Sequence, residues 1–220
     1  MRNKTMRIQT ILASAICALG IAASAHAGVT YTSTPNGDYA FPLGVPDTTT
    51  FGQVFTVADD GNTRLDSFSF FISGTLLRAY GGVAAWTGAG AGPALFASNP
   101  FRANYTNFTQ VTVDTGGLDL DAGQQYVVYF STAGIAGNSG SDNVAFGAGG
   151  GVYDGYATDN SFGASPNHDE WAGAQNFPWA TFAGTLSFSA PSGDVPEPGS
   201  LALLVLGAAG LAGARRRKPG

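Results

Sequence analysis

The chain has 220 residues, with ten Lys and Arg against fifteen Asp and Glu, a formal charge of −5, and a length that suits one main domain. Its 32 glycines, 15 phenylalanines and 8 tyrosines exclude a disordered chain, which lacks aromatics, and a helical bundle, which cannot carry so much glycine. The one cysteine, Cys17, lies close to the N-terminus, so no disulfide framework and no cysteine metal site follows it.

In chain order, Arg2, Lys4 and Arg7 precede an apolar segment from Ile8 to Ala23, and Ala25-His26-Ala27 follows with small-x-small spacing. These are the three parts of a secretory signal peptide, 1–27, cleaved after Ala27. A permanent anchor is the competing reading; the short apolar run and the cleavage sequence favour removal. Arg64, Arg78 and Arg102 are then the only basic residues between 28 and 194, against fourteen acids, a net charge of −11. So acidic a surface excludes nucleic acid and repels anionic polymers; it suits neutral sugars or divalent cations.

The exported domain, 28–190, opens on a polar, proline-bearing lead-in with one early strand. Phe51 to Val57 alternates, with Phe51, Phe55 and Val57 on one face. Asp59-Asp60-Gly61-Asn62 supplies turn chemistry, and Leu65 to Ser73 returns with Phe68, Phe70 and Ile72 on its apolar face. Leu76 to Trp86 reads as a strand bulged at Gly81-Gly82. Pro93 to Ala97 reads as a short edge strand, and Phe108 to Thr115 alternates. Gln125 to Ser131 is apolar on both faces, as a central strand is. Residues 134–178 are rich in Gly, Ser and Asn and read as a long loop studded with aromatics. Phe182 to Ala190 is the last strand. About eight short strands and glycine-rich turns predict an all-β chain, a single β-sandwich of jelly-roll-like form.

Chemistry is sparse. Asp59, Asp60 and Asn62, and Asp119 with Asp121, are oxygen-rich turns of the sort Ca²⁺ uses, but neither has the Glu that closes a twelve-residue calcium loop. Local turn bonding explains them as well. Any metal ligands stay unknown, and Ca²⁺ is the one cofactor left open. No Gly-x-Ser-x-Gly elbow is present and His168 is the only histidine beyond the signal peptide, so a serine triad is not expected. Asp169-Glu170-Trp171 is a dense acid–aromatic group, but a glycosidase needs a second carboxylate that the sequence does not identify. Tyr153, Tyr156, Trp171 and Trp179 form a candidate sugar-binding set, since flat rings beside Asp and Asn stack on pyranoses; pinning of the long loop is the alternative. No catalytic residue is expected.

A linker, 191–195, leads to the C-terminal signal, 196–218: Pro196-Glu197-Pro198, an apolar run from Gly199 to Ala214, then Arg215, Arg216, Arg217 and Lys218. The run predicts a transmembrane helix over 199–214, with the basic cluster on the cytoplasmic side. At about 1.5 Å per residue it covers about 24 Å of a hydrocarbon core about 30 Å thick, which suits a temporary stop. This tail resembles the PEP-CTERM sorting signal of Gram-negative bacteria. The resemblance implies recognition by exosortase, a membrane protease, and removal near Pro196–Pro198 after passage through the secretion translocon. It also implies a cell-surface or extracellular-matrix protein of the exopolysaccharide or biofilm, with the polysaccharide as a potential partner and membrane attachment at least until processing. The body, from Gly52-Gln53-Val54-Phe55 through Gly123-Gln124-Gln125-Tyr126-Val127, resembles the extracellular domain often joined to such tails.

Overall fold

A computed structural model describes residues 27–45, 48–75, 78–102, 104–138, 140–159 and 175–191. Within them the chain is all-β, and residues 26–191 form one compact unit. Thirteen strands run β1 Val29–Val45, β2 Thr50–Thr56, β3 Arg64–Gly74, β4 Arg78–Trp86, β5 Ala91–Ala97, β6 Phe101–Arg102, β7 Tyr105–Asp119, β8 Gln125–Ser131, β9 Gly140–Ala148, β10 Tyr153–Asp159, β11 Gln175–Phe177, β12 Thr181–Phe182 and β13 Gly184–Ser189. They form two antiparallel sheets, packed sandwich-like. One is ordered β12-β9-β1-β13-β3-β7, the other β11-β10-β2-β8-β4-β5, with β6 beside β4. β1 to β4 alternate between the two sheets.

The alternating residues read from sequence make the interface. Phe68, Phe70 and Ile72 of β3 turn inward, as do Phe51 and Phe55 of β2, and all are buried. Aromatic rings join the layers edge-on: Phe70 meets Phe130 with centroids 4.9 Å apart, Phe51 meets Phe182 at 5.4 Å and Phe55 meets Phe188 at 6.0 Å. Such pairs add about 0.5–1.5 kcal/mol beyond the burial of their area. β8 is the central strand its composition predicts. Tyr126, Val128 and Phe130 enter this core, while Val127 and Tyr129 turn the other way into a second cluster with Tyr80, Ala84 and Trp86.

The early strand expected in the lead-in is present and long: β1 spans 17 residues, and its ladder with β9 is irregular between Pro35 and Tyr39 and again between Ala40 and Leu43. Two other expectations are corrected. The stretch 134–178 is not one long loop, because β9 and β10 within it pair deep in opposite sheets. Gly81 and Gly82 make no bulge: they pair in register with Phe130 and Tyr129. The irregularity in β4 lies between Val83 and Trp86, facing β5. The two glycines are needed for close approach. A Cβ on Gly81 would sit 2.7 Å from a Val113 methyl and 2.9 Å from the Phe68 ring, and one on Gly82 would run into the Tyr129 ring.

The edges differ in exposure. β12 and β11 are two and three residues long, and β5 carries Pro93 and two register breaks. These features blunt an edge. β7 is longer, fifteen residues, has no proline, and among the described residues pairs along one side, with β3, through a ladder with two register breaks.

Candidate functional site

The predicted sugar-binding aromatics fall into three groups. Tyr156 lies on β10 between β11 and β2 and is 7% exposed. Its ring stacks on Phe177 at 4.5 Å and 14°, and contacts Phe182 at 4.9 Å and Phe146 at 5.2 Å. Burial raises its hydroxyl's pKa. The Tyr153 hydroxyl donates to the Tyr31 carbonyl at 2.9 Å, and burial holds it far above the ordinary tyrosine range. Both rings therefore serve packing: alternation alone would point residues three apart to opposite faces, and the register break between Tyr153 and Gly155 brings both against the core. Trp179 is different: it is 73% exposed on the turn after β11. Tyr156, Phe177 and Phe146 back it, with centroids 5.8, 6.1 and 6.4 Å away. A ring supported from behind and open in front can stack on the apolar face of a pyranose. Trp171, with His168, Asp169 and Glu170, lies outside the described residues.

The acidic turns are engaged only in part by their neighbours, and among the described residues Asn62 Oδ1 is buried without a hydrogen-bond partner. Asp60 accepts the Asn62 backbone N–H at 2.9 Å and the Tyr31 hydroxyl at 3.1 Å. Chiefly the first of these bonds holds its carboxyl below the usual carboxylate range. Asp119 lies 3.5 Å from the Arg64 guanidinium, and the Asp121 N–H donates to the Tyr126 hydroxyl at 3.1 Å. Among the described residues no three His, Cys, Asp or Glu side chains converge as metal ligands would.

A second place was not foreseen. Where β3 ends, β7 begins and β9 begins, an open pocket of about 380 Å³ lies among Ser73, Thr75, Tyr105, Thr106, Ser141 and Asn143, with Gly74 and Asp142. Asn143 Nδ2 donates to Ser73 Oγ at 3.4 Å across the paired strands. Asp142 faces inward, 2% exposed, and its carboxyl occupies the space that a side chain at residue 74 would need. Beside this pocket two rings stand out of the sheet. Tyr39, on β1, is 54% exposed and Phe108, on β7, is 36% exposed, with centroids 6.0 Å apart. Tyr39 pairs with Ala145, two residues along β9 from Asn143, and Phe108 adjoins Thr109, whose partner Ile72 adjoins Ser73. The only sequence signal here was Ser141-Asp142-Asn143, concealed in a stretch that reads as loop.

Pro196, Glu197, Pro198, Arg215, Arg216, Arg217, Lys218 and Ala25 also lie outside the described residues, and Ala27 is exposed at their start. Among the described residues no helix is long and apolar enough to cross a membrane; the helix expected over 199–214 falls beyond them.

No curated protein matches the chain. Two solved structures resemble it, each at 11% identity over 74% of this chain. They are the cysteine protease and lectin-like domains of Cwp84, a surface layer associated protein of Clostridium difficile, with a TM-score of 0.46, and a clostridial Cwp84 cysteine protease after propeptide cleavage, with a TM-score of 0.50. The chain spans 36% and 40% of their respective lengths, and the likeness to the second is one of fold. Residues 194–218 match the PEP-CTERM protein-sorting motif: the chain carries the signal of exported proteins that an exosortase sorts.

Proposed function

We propose that the protein is a non-catalytic component of the cell surface or extracellular matrix, associated with the exopolysaccharide. The observation that carries this is the sorting motif at 194–218. In this reading residues 1–27 are removed on export, and a helix over 199–214 holds the chain in the inner membrane until exosortase cuts near Pro196–Pro198. The −11 charge of residues 28–194 keeps the released domain soluble. The body is a jelly roll. Support comes from the orders β1-β13-β3-β7 and β2-β8-β4-β5, which follow from a long hairpin wound over itself with β9–β12 inserted before its last strand. Intact-mass measurement of the protein from its native cell, with and without the exosortase, tests the sorting reading. The expected result is loss of the tail only when exosortase is present; a tail retained in both cells would overturn it.

A second reading is a dedicated carbohydrate-binding module, favoured by Trp179 standing exposed on its aromatic bed. Its test is retention on the native polysaccharide, lost in Trp179→Ala.

A further inference from the structure

We propose that the outer face at the junction of β3, β7 and β9 is a subsite for a neutral saccharide, with Tyr39 and Phe108 as the stacking platform and Asn143 and Ser73 as its hydrogen-bonding edge. The proposal rests on the polysaccharide association above and deepens it by giving it a place and a ligand class.

The lining selects the ligand. Serine, threonine, asparagine and aspartate side chains surround the pocket, with Tyr105 beside them, so a purely apolar molecule would leave their polar groups without water or partners. Among the described residues the pocket has no Lys or Arg in its lining, so an anionic sugar or a phosphate would meet no counter-charge there, on a domain whose net charge already repels it. A neutral pyranose has what remains: hydroxyls for the amide and hydroxyl groups, and C–H faces for rings. The volume, about 380 Å³, falls within the range of small-molecule sites, about 300–1,000 Å³. The openness of the junction suits a unit within a polymer, whose neighbours must leave on both sides.

The placement is also rigid. Asn143 and Ser73 are cross-strand partners in the short pairing where β3 ends beside β9, and the neighbouring residues Val144 and Ile72 are fully buried in the core. Asp142, itself buried, fills the space over Gly74 in the pocket lining. Tyr39 and Phe108 come from strands 69 residues apart in sequence, yet their rings meet in the open. Two large apolar groups left in water beside polar side chains are what a sugar platform requires.

The test is affinity electrophoresis of the full chain through gels containing exopolysaccharide from the producing cells, separated by anion exchange into neutral and acidic pools. The neutral pool should retard the protein. Phe108→Ala and Asn143→Ala should each weaken retardation about tenfold, as loss of a central contact does, with Leu95→Ala, an exposed side chain on edge strand β5, unchanged and all melting curves cooperative. Retardation that persists in both Phe108→Ala and Asn143→Ala but vanishes in Trp179→Ala would overturn this subsite and leave the polysaccharide association standing at Trp179. Retardation by the acidic pool alone would overturn the ligand class. No retardation by either pool would remove the association itself and this subsite with it.

Discussion

Gln53 Oε1 accepts the backbone N–H of Phe182 at 2.8 Å, from one sheet to the other. The same amide's Nε2 donates to the Gly155 carbonyl at 2.6 Å and the Val54 carbonyl at 2.9 Å, and the side chain is fully enclosed. One glutamine thus ties β2 to β10 and reaches β12, satisfying backbone groups at a place where the ladders do not. Gln53→Met keeps the volume and strands these groups. At about 1–3 kcal/mol for each buried group left unpaired, three such groups should make the loss about 3 kcal/mol or more in denaturant unfolding, with the slope unchanged.

Gly81→Ala should cost about 1–3 kcal/mol, because the added methyl enters a closed space between Phe68 and Val113. Gly92→Ala, on edge strand β5, meets only a carbonyl oxygen 4.0 Å away and should change stability by less than about 0.5 kcal/mol. Thermal melts of the two variants check the contrast. Equal effects would mean that Gly81 does not mark a close approach of the sheets.

Alkaline titration should be abrupt. Burial pushes the Tyr80 hydroxyl up to about 12 and raises those of Tyr129 and Tyr153 further, against about 10 in an unfolded chain. A raised folded pKa gives stability that is whole below pH 10 and declines as pH climbs toward 12. Absorbance at 295 nm should therefore show the exposed tyrosines ionising first. Tyr80, Tyr129 and Tyr153 should follow in one step that coincides with loss of circular dichroism.

The aromatic bed under Trp179 separates packing from exposure. Tyr156→Ala removes a stacked, buried ring and should cost about 3–5 kcal/mol, as large aromatic truncations do. Trp179→Ala should stay within about 1 kcal/mol, since most of that ring already faces water. Guanidinium midpoints for the two variants measure the difference.

Strands with a dense apolar rhythm were legible in sequence. Gln125–Ser131 alternates between two buried clusters, and a strand covered on both sides announces itself by having no polar face. β9 was not legible. Its residues, Gly140 to Ala148, include Ser141, Asp142, Asn143 and Gly147, and its place is fixed by long-range pairing with β1 and β3 that no local pattern records. The pocket was lost with it, since Asp142 and Asn143 gain meaning only when β3 lies alongside. Gly81-Gly82 misled for a related reason: a glycine pair reads as a bulge locally, while its cause, Phe68, Val113 and Tyr129, is supplied by three other strands. Trp179 was legible as a ring on a turn, and Tyr156 as an aromatic, but not which of them faces water.

Among the described residues the far side of β7 has no partner strand, and its fifteen residues include no lysine or proline, so a strand from another copy could continue the sheet there. Two register breaks in β7 oppose this locally; the rest of what holds copies apart is collective, the mutual repulsion of acidic domains, and it weakens as salt shortens its reach to about 8 Å at 0.15 M. Crowding on a surface and rising ionic strength therefore act in the same direction on this chain, toward side-by-side association through β7. Sedimentation at increasing salt would show it as growth in mass, and Thr112→Lys would suppress it.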